Sequence, residues 1–249
     1  LKDDGQMAII QNGSSLFNGD AGSGPSEIRR YLIENDWLDA VVQLPNNAFY
    51  NTGIATYIWI VMKNKPVTHQ GKVQLIDASA CCSARRKNIG SKNVDITKVD
   101  RDLIIEAYGA YVDGIYNGVD ENDKAIIVKS KVIDAIDFGY NKIVVETPKL
   151  DEDGNIVMKK MKPVADKSKR DIENVPLTED IDVYFEREVI PYNSQAWIDK
   201  SKTKVGYEIP FTRTFYEYKQ IEPSDVIAAR IEEHEKSLMA KLHDLFGGK

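Results

Sequence analysis

Cysteine and histidine are scarce in this sequence. Among 249 residues there are two cysteines, the adjacent pair Cys81 and Cys82, and three histidines, His69, His234 and His243. Adjacent cysteines cannot staple a fold in the usual way, and no Cys-x-x-Cys or suitably spaced histidine completes a zinc site. The histidines lie far apart in polar surroundings. We therefore expect no metal centre and a reduced, intracellular chain.

Long apolar runs and several nucleotide motifs are also missing. No segment approaches the ~20 apolar residues that span a bilayer, and no signal-peptide pattern is present, so we expect a cytoplasmic protein. Gly19, Gly22 and Gly24 do not give the Gly-x-Gly-x-x-Gly spacing, and no Walker lysine follows them. A Gly-x-Ser-x-Gly elbow is absent as well, which disfavours a complete small reductase or esterase.

Net positive charge is missing too. The formal net charge is −6 and the pI is near 5.3, which argues against a chain that grips a phosphate backbone over a wide surface by itself. At 28.1 kDa the chain has room for one large domain or two small ones. Residues 7–10 predict a buried strand with only six residues before it, so we expect the chain to be a piece of a longer protein.

Two apolar runs flank an unusual loop. Residues 40–44 and 55–62 are rich in β-branched and aromatic side chains and predict core strands of a layered α/β sheet. The loop between them, residues 44–54, combines Pro, Asn and Gly with Phe49 and Tyr50. Two interpretations are open. The loop is a ligand platform held by core strands, or it is a hairpin loop whose aromatic residues tuck under the sheet.

The remaining pattern predicts further elements. We expect a strand at 73–77 and a hairpin of 143–146 with 156–159 around the Asp153-Gly154 turn. Helices are expected from Ser26, with Ile28, Leu32 and Ile33 facing the core, and over 98–111, 178–189 and Ser224–Phe246. Residues 113–124 are expected to form a polar connecting segment, and residues 161–174 are expected to be mobile. The basic residues Arg85, Arg86, Lys87 and Lys92 are either a solvated loop or a nucleic-acid contact.

The loop and several other stretches carry a family resemblance. Residues 49–54 with the strand behind them resemble the eighth conserved motif of adenine-N6 DNA methyltransferases. The whole chain resembles, more narrowly, the modification (M) subunit of type I restriction-modification systems. The supporting stretches are residues 7–10, 15–17, 27–30, 75–78, 137–143, 184–189 and 206–213.

The resemblance also has gaps. The family binds S-adenosylmethionine with a glycine-rich motif and catalyses with Asn-Pro-Pro-Phe/Tyr, and neither occurs in this sequence. The resemblance thus implies the C-terminal part of a Rossmann-like class I methyltransferase sheet, followed by a mixed α+β region with a terminal helix. The implied segments are 1–80, 81–222 and 223–249. For this chain alone it implies no catalytic residue, no bound cofactor and no activity, whereas the intact subunit would use S-adenosylmethionine.

The resemblance assigns roles to the loop. A base that is methylated inside a duplex must be flipped out and stacked on aromatic faces. Phe49 is implied as the residue that stacks on the flipped adenine, with Tyr50 as the second choice. Asn51, Thr52 and Gly53 would shape the loop. Implied partners are double-stranded DNA, a specificity (S) subunit and a restriction (R) subunit.

The last helix has an apolar stripe on an otherwise charged surface. The stripe residues are Ile227, Ile231, Leu238, Leu242 and Leu245. Their near-heptad spacing suits a partner helix, so we expect them to bind the specificity subunit. The alternative is that the stripe covers the chain's own core. A further alternative for the whole chain is a purely structural assembly module that docks on a specificity subunit.

Overall fold

The computed structural model describes residues 1–120, 123–218 and 221–246. It divides into two compact units, Leu1–Phe215 and Tyr216–Lys249. The predicted segments 1–80 and 81–222 therefore share one compact unit for most of their length. The reason is that strands from both segments join the same sheet.

The first unit is an α/β structure. Its strands are β1 (Gln6–Asn12), β2 (Leu38–Gln43), β3 (Thr56–Met62), β4 (Lys72–Asp77), β5 (Ser83–Ile89), β6 (Lys92–Asp95), β7 (Gly114–Val119), β8 (Ala125–Asp134), β9 (Gly139–Glu146), β10 (Met158–Lys159), β11 (Lys162–Pro163), β12 (Asp171–Pro176), β13 (Trp197–Ile198) and β14 (Lys204–Tyr207). Its α-helices are α1 (Ser14–Phe17), α2 (Gly24–Glu34), α3 (Lys98–Ala110), α4 (Ile181–Glu188) and α5 (Phe211–Thr214). Short 3-10 helices cover Val67–His69, Ala135–Phe138, Lys167–Lys169 and Lys200–Lys202.

The larger sheet has six strands in the order β1-β3-β2-β4-β8-β7. Its centre, β2, β3 and β4, is buried on both faces, as the apolar runs predict. Successive residues serve opposite faces, because side chains alternate along a strand. Val41 packs in one core cluster with Leu75, and Val42 packs in the other with Ile76 and Leu103. The predicted α/β class and the strands at 40–44, 55–62 and 73–77 are confirmed.

The prediction of a buried first strand was wrong. β1 pairs with β3 at the edge of the sheet, and Met7, Ile9 and Ile10 are 38%, 40% and 50% exposed. Apolar composition identified the strand correctly. It could not identify the edge position, because that depends on which strands lie beside it.

Helix α2 starts two residues before the predicted Ser26, because Pro25 is tolerated in the first turn of a helix. Its buried face also differs from the prediction. Ile33 is buried, but Ile28 is 63% exposed, and Arg29 takes the inward position instead. The Arg29 Nε donates to the carbonyl oxygen of Tyr207 at 2.6 Å, which joins α2 to the end of β14.

Helix α3 lies close to its predicted bounds and covers one face of the large sheet. Thr97 and Asp100 form a reciprocal capping box at its start, and Tyr111 ends it in the left-handed conformation. The buried Asp39 of β2 accepts a hydrogen bond from the Tyr108 hydroxyl at 2.7 Å and lies 2.9 Å from Nδ1 of His69. Burial raises the pKa of Tyr108, so this hydroxyl stays a donor that ties α3 to the sheet.

The second sheet contains the largest errors of prediction. β9 pairs antiparallel with β12, β13 and β14. The predicted hairpin of 143–146 with 156–159 was therefore wrong: β10 pairs with β11, and Leu150 and Ile156 form only an isolated bridge. Residues 113–124, expected to be a connection, contain β7, and residues 161–174, expected to be mobile, contain β11 and the start of β12.

Helix α4 packs beside this sheet through Phe185, close to its predicted bounds. A buried carboxylate lies at the end of β9. Glu146 is 2% exposed, and its Oε1 accepts from Arg170 Nε at 2.9 Å and from Lys202 Nζ at 2.9 Å. The hydrogen bonds from Arg170 and then Lys202 outweigh burial and lower the pKa of Glu146.

The second unit contains α6 (Ser224–Phe246), with the bounds that the sequence predicted. All its described residues are exposed. None of the helices described is both long and apolar enough to cross a membrane.

Candidate functional site

Four strands of the large sheet end at the same edge. β1 and β2 are both antiparallel to β3, and β2 is parallel to β4. β4 and β7 are both antiparallel to β8, so the carboxyl ends of β1, β2, β4 and β7 point the same way. In open α/β sheets, ligands bind in the crevice outside the carboxyl ends of the strands. The loop of residues 44–55 follows β2 at this edge, and the β5–β6 hairpin follows β4. We call this loop the aromatic loop.

The base of the aromatic loop is built into the sheet. The amide of Leu44 donates to the carbonyl oxygen of Thr56 at 2.8 Å, which continues the β2–β3 ladder. Leu44, Pro45 and Ala48 are buried. Asn47 adopts a positive φ of 58°, and its amide donates to the Gly53 carbonyl oxygen at 3.3 Å. The buried base and this cross-loop bond leave residues 49–52 as the tip.

All five predicted adenine-binding residues lie at or beside this tip. Phe49 and Thr52 face each other in an isolated bridge and are half-buried. Tyr50, at 61% exposure, is the most accessible aromatic of the loop. Asn51 and Gly53 are exposed. These five residues are consecutive in the sequence, so their proximity does not test their role. The binding of adenine, and the choice between Phe49 and Tyr50 as the stacking residue, stay predictions.

The β5–β6 hairpin braces the tip, a contact that the sequence did not predict. The amide of Ser91 donates to the Tyr50 carbonyl oxygen at 2.8 Å, and the amide of Asn93 donates to the Asn47 carbonyl oxygen at 3.2 Å. Gly90 has a φ of +58°, and a Cβ there would lie 2.3 Å from the Tyr50 oxygen. Only glycine allows this approach. The Nζ of Lys92 also lies 5.4 Å from the centre of the Tyr50 ring.

The hairpin carries the basic cluster. Arg85 Nη1 lies 2.5 Å from Asp95 Oδ1, and Lys92 Nζ lies 3.1 Å from the same oxygen. The hydrogen bonds from Lys92 and Arg85 lower the pKa of Asp95, which stays ionised. Arg86 and Lys87 are exposed and form no ion pair with any residue that the structure describes. Part of the cluster is therefore paired within the hairpin, and part faces solvent.

Other chemistry is limited around this edge. Cys81 and Cys82 are free, and burial raises the pKa of the Cys81 thiol to about 12, so it is not a thiolate nucleophile at neutral pH. Within residues 1–120, 123–218 and 221–246, no group of three or more His, Cys, Asp or Glu side chains is placed to hold a metal ion. The glycines of the loop after β1 lack the Gly-x-Gly-x-x-Gly spacing.

The predicted partner-binding residues lie along α6. Ile227, Ile231, Leu238, Leu242 and Leu245 are 36%, 61%, 59%, 40% and 76% exposed. Residues three and four apart share a helix face, so they form one apolar stripe. No described residue of α6 is buried, and both interpretations of the stripe, partner binding and cover for the chain's own core, stay predictions.

The geometry defines an α/β protein whose candidate ligand site is an aromatic loop at the carboxyl edge of the sheet. The family model for N-6 DNA methylases matches residues 1–151, which include the whole of this edge. The chain belongs to the N-6 DNA methylase family.

Individual proteins similar to this chain are described as type I methylase or methyltransferase subunits. The chain is 32% identical over 95 residues to the type I restriction enzyme MjaVII methylase subunit of Methanocaldococcus jannaschii, covering 36% of this chain and 16% of that protein. It is 37% identical over 81 residues to the MjaIX methylase subunit of the same organism, covering 31% and 14%. A solved type I restriction-modification methyltransferase subunit from Streptococcus thermophilus aligns with a TM-score of 0.42 and 29% identity, covering 54% of this chain and 24% of that chain. The matches thus span about a sixth of the curated relatives.

Proposed function

We propose that this chain is part of the modification subunit of a type I restriction-modification system, which methylates adenine N6 in DNA. Membership of the N-6 DNA methylase family and similarity to proteins described as type I methylase subunits support the proposal. The intact subunit would use S-adenosylmethionine, which supplies the methyl group when bound. It would act in the cytoplasm with a specificity subunit, a restriction subunit and double-stranded DNA.

The aromatic loop is the observation that carries this proposal. To reach N6, the enzyme must flip adenine out of the duplex, and the flipped base needs a face on which to stack. Phe49 and Tyr50 offer such faces at the carboxyl edge of the sheet, on a loop whose base is buried. The buried residues at the foot of the loop hold the aromatic rings in place, so less ordering is required when the flipped adenine binds. The role of this chain is to capture and orient the base.

Substitution of each aromatic residue tests the role. Stacking contributes about 1–3 kcal/mol per base, so we expect Phe49→Ala or Tyr50→Ala to lower methyl transfer by the complete enzyme about 5- to 150-fold. The larger loss identifies the stacking residue. Neither side chain is part of a buried core cluster, so the thermal unfolding temperature is expected to change little.

Tyr192→Ala is the matched control, because Tyr192 is 90% exposed and lies outside the candidate site. If neither loop variant slows methylation more than Tyr192→Ala, the loop does not hold the base. If Phe49→Ala instead unfolds the protein while its soluble fraction keeps normal turnover, Phe49 is a structural residue.

The alternative is a purely structural assembly role, which the similarity to type I methylase subunits does not favour. We propose that the stripe binds the specificity subunit in addition to the role of the loop. The two functions separate experimentally. An assembly module requires that charged substitutions on α6 abolish complex formation while the loop variants have no effect on methylation.

A further inference from the structure

The β5–β6 hairpin is positively charged within an acidic chain. Residues 83–95 contain four cations, Arg85, Arg86, Lys87 and Lys92, and a single acid, Asp95, whereas the whole chain has a net charge of −6. The hairpin therefore presents a local field of the opposite sign to the rest of the molecule. A concentrated positive field attracts polyanions despite an unfavourable net charge.

The pairing within the hairpin leaves two of the cations available. Asp95 is shared by Arg85 and Lys92, at 2.5 Å and 3.1 Å. Arg86 and Lys87 are exposed and have no ion-pair partner among the described residues. They lie in the irregular stretch of β5 between Ala84, which pairs with Val94, and Ile89, which pairs with Lys92. Cations in this state bind a phosphate without first breaking an internal salt bridge.

The hairpin is also fixed next to the aromatic loop. Its turn contacts the tip directly through the Ser91 amide and the close approach of Gly90 to Tyr50. Lys87 is three residues from Gly90, so its backbone lies within about 10 Å of that contact. One DNA strand rises about 3.4 Å per nucleotide, so this reach corresponds to about three nucleotides.

We propose that Arg86 and Lys87 bind the DNA phosphate backbone within about three nucleotides of the adenine held by the aromatic loop. This inference rests on the proposed function, because the loop places the base. The contact is independent of sequence, since phosphates carry no base identity. It anchors the strand beside the flipped nucleotide and makes DNA affinity depend on salt.

The salt dependence of DNA binding by the complete complex tests the contact. Each phosphate contact contributes about 0.9 to the slope of log affinity against log salt, so Arg86→Gln with Lys87→Gln is expected to reduce the slope by about 2. Between about 50 mM and about 200 mM salt, the wild type then loses about 12-fold more affinity than the variant. The loss is expected to be equal for target and non-target duplexes.

Two further variants control for charge and for folding. Lys159→Gln with Lys160→Gln removes the same charge from exposed positions outside the hairpin and is expected to leave the slope unchanged. Arg86→Lys with Lys87→Arg keeps both charges and is expected to keep the wild-type slope. Equal slopes for the wild type and the Arg86→Gln, Lys87→Gln variant overturn the proposal.

The position of the contact is tested with DNA that carries neutral methylphosphonates within about three nucleotides of the target adenine. We expect this DNA to bind the wild type more weakly than unmodified DNA does, and to bind the Arg86→Gln, Lys87→Gln variant with no additional loss. An equal loss in both proteins places the contact elsewhere and overturns the proposal. Methyl transfer is measured in parallel: if the wild type binds DNA but does not methylate adenine, the proposed function fails, whereas the slopes still decide the phosphate contact.

Discussion

Arg29 is the clearest case in which a single side chain supports the fold. It is 1% exposed, and its guanidinium donates to three backbone carbonyl groups, those of Tyr207 at 2.6 Å, Ser15 at 3.1 Å and Asn18 at 2.9 Å. No carboxylate forms an ion pair with it among the described residues, and burial lowers its pKa. The α1 segment and the distant end of β14 are therefore both held to α2 by one buried cation.

The expected effect of Arg29→Ala follows from these bonds. Hydrogen bonds to a charged group contribute about 1.5–3 kcal/mol each, so three bonds give a gross loss of about 5–9 kcal/mol. Removing the guanidinium also relieves a desolvation cost of several kcal/mol. We expect a net decrease of about 3 kcal/mol in the free energy of unfolding, which is large for one substitution.

Urea unfolding measured by circular dichroism provides the assay, with Arg30→Ala as the neighbouring control. Arg30 forms an exposed pair with Glu34 at 2.9 Å, which contributes only about 0.3–0.5 kcal/mol. Arg29→Lys keeps the charge but not the planar fork, so we expect it to recover less than half of the loss. The reasoning is refuted if Arg29→Ala destabilises no more than Arg30→Ala, or if Arg29→Lys has the stability of the wild type.

Three further predictions concern separate parts of the molecule. The lowered pKa of Glu146 means that its stabilising contribution is complete above its ordinary pKa of 4.5 and is lost as the pH falls through the lowered value. Between about pH 6 and about pH 3, the free energy of unfolding of Glu146→Gln should therefore decrease less than that of the wild type, with exposed Glu152→Gln behaving like the wild type. Gly90→Ala should destabilise by more than the ~1–2 kcal/mol expected for Gly71→Ala, because both glycines have positive φ but only the Gly90 Cβ would collide with Tyr50; equal losses in urea unfolding would contradict the hairpin contact. Leu238→Asp with Leu242→Asp should abolish co-purification with the specificity subunit while the chain stays folded, whereas an intact complex would show that the α6 stripe is not the docking surface.

The elements predicted correctly are those whose own sequence carries a continuous apolar run or a helical period. β3 is a continuous apolar run that needs cover on both faces, and α3 and α6 have a helical period along their full length. The aromatic loop could be located for the same reason, since Pro45 and Gly53 interrupt two such runs.

The errors arise where residues distant in the sequence determine which strands pair and which side chains are buried. The predicted turn at Gly154 exists, with a φ of +83°, but β9 pairs with β12 and β14, beyond the strand that follows the turn. The inward position of Arg29 could not be predicted for a similar reason, because its principal hydrogen-bond acceptor is the distant Tyr207 carbonyl oxygen. The β5–β6 hairpin was not predicted, since its residues have the composition of a solvated loop and its contact with Tyr50 needs the fold.

The Arg29 to Tyr207 bond also constrains the order in which the chain can fold. The two residues are 178 positions apart, and the Ser26 hydroxyl accepts from the Tyr207 amide across a similar separation of 181. At about 5–20 residues per second, a ribosome adds Tyr207 about 10–35 s after Arg29. During that interval α2 lacks its hydrogen bonds to Tyr207, and the exposed apolar residues of β1 belong to a sheet whose later strands have not yet been synthesised. Closing so long a segment is slow, so chaperone binding during synthesis and slow refolding in vitro are the expected consequences.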